Sequence, residues 1–161
     1  MLSSCLRPSF CLGLVIAVLP SAMQAQECPD WRLHAPKHIE ATADSLFTRY
    51  QTPLIAGGPV SLTSCLSMPG IGYVAKAPDL SVNYDGQGDR RLLDIRVQAD
   101  CDTTLMVNLP DAQYVYSDDE DGLNPVVRIA AAESGLYDIW VGTIKPETCA
   151  AILMIETFDE S

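Results

Sequence analysis

The chain has 161 residues, with 21 Asp or Glu against 10 Lys or Arg and a net charge of −11. So acidic a surface repels nucleic-acid phosphates and anionic lipid headgroups, which excludes polyanion-binding classes. The length suits one domain with a full hydrophobic core.

The chain opens like a secretory leader. Arg7 supplies the positive start and residues 11–19 (CLGLVIAVL) an apolar run too short to span a bilayer. Pro20, Ser21 and Ala22 follow, and cleavage is expected after Ala25, so residues 1–25 are read as a signal peptide. No later apolar run is long enough to cross a membrane. Residues 26–57 are read as an N-terminal extension in which Leu46, Phe47 and Tyr50 share a helical face or belong to an extended approach to the sheet.

From residue 58 to 161 short β-like runs recur between turn signals. Strands are expected near 60–64, 71–75, 79–84, 91–98, 103–108, 112–116, 126–130, 136–142 and 150–157. The breaks include Pro69-Gly70, Asp85-Gly86, Pro110-Asp111, the acidic run 118–121 with Gly122, and Ser134-Gly135. Alternation places Leu93, Ile95, Val97, Leu105, Val107, Val127, Ile129, Tyr137, Ile139, Val141, Leu153 and Ile155 on one side. Many short strands with one apolar face each make an all-β sandwich.

Four cysteines follow the leader: Cys28, Cys65, Cys101 and Cys149. An even number in an exported chain implies two disulfides. Their wide spacing contains no C-x-x-C and so no zinc ribbon or dithiol redox motif. If consecutive strands are antiparallel, the connections at 99–102, 117–125 and 143–149 share one end of the sandwich. That pairs Cys101 with Cys149 and leaves Cys28 for Cys65; the two other connectivities remain open at this stage.

Three stretches carry a family resemblance. They are Cys101-Asp102-Thr103-Thr104-Leu105-Met106-Val107-Asn108, then Ser117-Asp118-Asp119 with Gly122-Leu123-Asn124-Pro125, then Ser134 to Thr143 (SGLYDIWVGT). Together they resemble the bacterial pre-peptidase C-terminal domain. Upstream, Ala56-Gly57-Gly58 and Gly70-Ile71-Gly72-Tyr73-Val74 resemble exported bacterial proteins that carry such a domain. The resemblance implies an antiparallel jelly-roll-like β-sandwich that accompanies secreted proteases, with relatives that bind calcium or extracellular polymers.

The acidic loop is the sharpest candidate site. Asp118, Asp119, Asp121 and Asn124 cluster there, and loop parity brings Asp102 to the same end. Calcium takes six to eight oxygens, so a weak calcium site is expected from these residues. The alternative is a solvated turn in which Asp118 and Asn124 bond their own backbone. A second candidate is an aromatic binding surface of Tyr114, Tyr116 and Trp140. Its alternative is that Trp140 covers the outer face of a sheet or packs under a loop.

Enzyme signatures are absent from the sequence. There is no G-x-S-x-G and no phosphate-binding glycine loop, and His34 and His38 flank Pro36 rather than sharing a helical face. The sequence therefore reads as an exported, non-catalytic binding module, periplasmic or extracellular, whose partner is an envelope or extracellular protein or polysaccharide. The competing readings are a small secreted hydrolase, a regulator of a secreted protease, and a structural envelope protein.

Overall fold

The computed structural model describes residues 28–89 and 91–159. The expected signal peptide, residues 1–25 with Cys5 and Cys11, lies outside them. The strands are β1 (His38–Thr42), β2 (Tyr50–Ala56), β3 (Val60–Ser61), β4 (Tyr73–Val74), β5 (Leu80–Asp85), β6 (Arg91–Ala99), β7 (Thr103–Asn108), β8 (Tyr114–Ser117), β9 (Val126–Ile129), β10 (Gly135–Thr143) and β11 (Cys149–Asp159). They form two sheets.

Sheet A is organised around β10. One edge of β10 pairs with β5 over residues 135–139 and with β4 at Thr143, while its other edge pairs with β7. Beyond these lie β1, β3 and β8. Sheet B has the order β2-β11-β6-β9 and is antiparallel throughout. The all-β sandwich expected from the sequence is the one observed, with a single parallel pair, β1 with β5.

The inward residues interdigitate between the sheets. All twelve aliphatic and aromatic positions expected on the core side belong to one cluster, with Ile129 half-buried at its margin. Burying each aliphatic side chain contributes roughly 1.5–3 kcal/mol. Val82, Tyr84 and Leu80 of β5 complete the layer, and the Tyr84 and Tyr137 rings meet edge to face with centroids 5.9 Å apart.

The segment 26–57, set apart from the sandwich in the sequence reading, contributes one strand to each sheet. β1 lies beside β5, and β2 pairs with β11 along seven register positions. The stretch around Leu46 is a single 3-10 turn, Ser45–Phe47, and Tyr50 already begins β2. Proline suits only an edge strand, and Pro53 sits in β2, whose outer edge has no strand partner in sheet B. The expected strand at 60–64 shortens to Val60–Ser61 and continues as a 3-10 turn, Leu62–Ser64.

Both disulfides have the connectivity derived from loop parity. Cys28 pairs with Cys65 and Cys101 with Cys149, closing separations of 37 and 48 residues. Each contributes roughly 2–4 kcal/mol by constraining the unfolded chain. The chain from Gln26 onward is expected to show no free thiol when labelled with iodoacetamide under denaturing, non-reducing conditions. Stoichiometric labelling of any of these four cysteines contradicts the pairing.

Candidate functional site

The connections at 99–102, 117–125 and 143–149 meet at one end of the sandwich, as loop parity requires. The Thr103 amide donates to the Leu123 carbonyl at 3.1 Å, and the Ile144 amide to the Asp102 carbonyl at 3.1 Å. The disulfide Cys101–Cys149 ties the same end.

Several oxygen atoms of the acidic loop already accept hydrogen bonds from within the chain. Asp121 and Asn124 exchange backbone hydrogen bonds at 3.0 and 3.2 Å, closing a tight turn. The Asn124 carboxamide oxygen accepts from the Ala99 amide at 2.9 Å, which fastens the turn to β6. Asp118 Oδ1 accepts from the Asp119 amide at 3.0 Å, and Glu120 pairs with Arg128 at 3.0 Å. Among the described residues no group of three His, Cys, Asp or Glu side chains is placed to hold a metal ion. The turn is closed by its own bonds at Asp118, Asp121 and Asn124, the bonding expected of a solvated acidic turn.

The aromatic candidates belong to a second core instead of an open surface. Trp140 points away from the main core, as alternation requires, but it is 0 % exposed. It packs with Val60, Leu62, Cys65, Val74 and Met106, with Tyr114, Tyr116 and Cys28 against the cluster. The Tyr114 ring centroid lies 6.3 Å from that of Trp140. The Tyr116 hydroxyl donates to the Ile71 carbonyl at 3.0 Å, and burial pushes its pKa up to about 12, so it remains a neutral donor. The segment from Val60 to Gly72 and the Cys28–Cys65 bridge therefore cover the outer face of sheet A.

A row of polar side chains crosses that face in register: His38 beside Ser81, Ser81 beside Asp138, Asp138 beside Asn108. The residue types match a nucleophilic triad but the bonds do not. The Ser81 hydroxyl donates to the Asp138 carboxylate, and His38 Nε2 faces Glu40 at 3.1 Å. A serine nucleophile needs its own hydrogen bond to the imidazole, with the acid behind the histidine. The Ser81–Asp138 pair therefore satisfies two buried polar groups and does not build a nucleophile. Burial pushes the Asp138 carboxyl above its ordinary range and the Ser81 hydroxyl opposes the shift.

The outer face of sheet B is different. Ile55 opposes Ala150 across β2 and β11, and Ile152 opposes both Pro53 on β2 and Gln98 on β6. All these side chains are on the solvent side, with Ile55 60 % and Ile152 40 % exposed. They floor an open cleft of about 570 Å³, with Asp100 on its wall. Farther along the face the arginines are held by carboxylates. Arg96 Nε binds Asp94 Oδ1 at 2.6 Å, Arg128 Nε binds Asp94 Oδ2 at 3.2 Å, and Arg49 Nε binds Glu156 at 2.6 Å.

The fold is similar to two solved structures. One is the pre-peptidase C-terminal domain of collagenase from Bacillus anthracis, with 13 % identity, a TM-score of 0.45, and coverage of 78 % of this chain and 99 % of that one. The other is Aeromonas hydrophila PliG, a periplasmic inhibitor of g-type lysozyme, with 14 % identity, a TM-score of 0.43, and coverage of 76 % and 98 %. No family model matches the chain, and no curated protein matches it in sequence.

The cleft on sheet B was missed by sequence reasoning because β2 was not recognised. One signal was present. In β11 the core positions Leu153 and Ile155 leave Ile152 on the solvent side, and a large aliphatic residue there has no core to fill. Its meaning appears only when β2 supplies Ile55 and Pro53 alongside it.

Proposed function

We propose that this chain is an exported, non-catalytic binding module that takes a protein partner. The observation that carries the reading is the exposed apolar cleft of Ile55, Ala150 and Ile152 on the outer face of sheet B. Contiguous apolar surface rimmed by polar groups is characteristic of interaction sites. The two disulfides support export, because such bonds persist in oxidising compartments. No helix among the described residues is long and apolar enough to cross a membrane. The candidate catalytic row of Ser81, His38 and Asp138 lacks the hydrogen bonds of a nucleophile.

The purified chain from Gln26 onward is expected to give no turnover on peptide or glycan substrates across the pH range. It is expected to form a saturable complex with a folded protein. g-type lysozyme, the target named for the Aeromonas hydrophila protein, is the first probe to titrate by calorimetry, followed by other exported proteins. Turnover that scales with protein and disappears on substituting one residue, Ser81→Ala for example, overturns the non-catalytic reading.

A further inference from the structure

We propose that the cleft between β2, β11 and β6 is a docking surface for a basic protein segment, one that carries Lys or Arg beside apolar side chains. The proposal rests on the binding-module reading and names the surface and the partner's chemistry.

The register makes the patch continuous. Ile55 faces Ala150, and Ile152 faces Pro53, so two neighbouring strands present four apolar side chains as one block. Gln98 and Asp100 of the β6 side border it. The two sheets are treated differently on their outer faces. Sheet A has Trp140 and Met106 on its outer side, and the chain buries both beneath the segment 60–72, pinned by a disulfide. Sheet B keeps Ile55 and Ile152 in solvent, with no segment over them among the described residues.

Charge selects among the possible occupants. The arginines of this face are neutralised, Arg96 and Arg128 by Asp94, and Arg49 by Glu156. Asp100, on the wall of the cleft, has no side-chain partner among the described residues. The apolar block is thus bordered by the free Asp100 carboxylate, while the arginines are held by carboxylates and Lys37, beside Pro53 and Ile55, donates to Thr52 Oγ1. An acidic partner, a second copy of the chain included, is repelled by the net charge of −11. A segment with apolar side chains flanked by Lys or Arg gains burial at the centre and attraction at the rim, the latter acting mainly on encounter and specificity.

The test uses the chain from Gln26 onward and a soluble hairpin peptide alternating Val with Lys, beside the same peptide with Glu for Lys. Amide chemical shifts and titration at two ionic strengths are the readouts. The Val/Lys peptide is expected to perturb Ile55, Gln98, Asp100, Ala150 and Ile152, and the Glu peptide to bind at least tenfold more weakly. Ile152→Lys, at a solvent-facing position, is expected to weaken the Val/Lys complex at least tenfold while the melting midpoint holds. Ile55→Lys serves the same purpose if the first variant fails to fold. Asp100→Asn is expected to weaken binding a few-fold and flatten its salt dependence. The proposal is overturned by any of four results: equal binding of the two peptides, shifts centred on residues 118–121, indifference to both lysine variants, or a dimer that Ile152→Lys dissociates. A protein partner that docks on another face overturns this surface and leaves the binding module standing, whereas catalytic turnover removes the module reading itself.

Discussion

Gly135→Val is expected to lower stability by about 2–5 kcal/mol and the melting midpoint by roughly 10 °C. Gly135 opens β10 opposite Tyr84, with φ at +149°, a backbone conformation that side-chain-bearing residues rarely adopt. A Cβ built there lies 2.6 Å from Pro110 Cβ and 2.9 Å from Pro110 Cγ. The proline ring cannot swing aside as a flexible side chain would, so β10 or the 109–113 turn must shift. β10 is the central strand of sheet A, bonded along both edges, and a shift at its start spreads to β5 and β7. Gly88→Ala is the companion measurement. Gly88 has φ of +78° but open space around its missing Cβ, so only the backbone term of about 1 kcal/mol is expected. Thermal unfolding of both variants separates strain from collision. Equal losses in the two mean that the Pro110 contact does not matter.

The strands from β5 onward were legible because apolar core-facing residues alternate in their sequence, even in β7 and β10, which the structure buries on both faces. Arg91–Ala99 and Cys149–Asp159 show the pattern most clearly, since they are long and pair on both sides within sheet B. β1 and β2 were not legible for local reasons. His38–Thr42 has only Ile39 and Ala41 on its inner side, and β2 carries Pro53, which reads as a strand breaker unless the strand is known to be an edge. Cys101–Cys149 was legible through loop parity, which needs only strand count and direction, and Cys28–Cys65 followed by elimination. The environment of Trp140 was not. Alternation correctly turned Trp140 outward from the core, but what covers it is an irregular segment with two-residue strands, and such a segment has no period to read. The acidic run was legible as charge, but the bonds its oxygens make were not. Its oxygens bond to the backbone of Asp119 and Ala99 and to Arg128, partners that spacing alone does not reveal.

Asp79→Asn is expected to stabilise the protein at pH 8 and to leave it unchanged near pH 4. Asp79 stands where β5 has ended along β10 and β4 has not begun, and its Oδ2 accepts from the Val141 amide at 2.7 Å. Burial pushes its pKa up to about 7, against the opposing pull of the Val141 N–H. The unfolded carboxyl titrates near its ordinary value of 3.8. Between these two values the folded state holds a proton that the unfolded state has lost, so stability falls as pH rises from about 4 to about 7 and then levels off. A shift of this size corresponds to about 4 kcal/mol at most. Asp79 borders an open cleft with Pro36, Lys37 and Thr52, where solvent reduces the penalty. A gain of about 1–3 kcal/mol at pH 8 is therefore expected, discounted for that screening. Asn keeps a carbonyl oxygen for the Val141 amide and can turn its NH₂ toward the cleft, so it removes the charge without removing the strand-end hydrogen bond. The Lys37 ammonium, the cation bordering the same cleft, donates to Thr52 Oγ1 at 2.7 Å and so is already engaged. Asp138 also has a raised pKa and adds to the pH dependence of wild type, but it is present in both proteins and cancels in their difference. Denaturant unfolding of wild type and variant from pH 4 to pH 8 provides the measurement. Curves separated by a constant amount at every pH mean that Asp79 is charged throughout and that its burial costs the fold nothing.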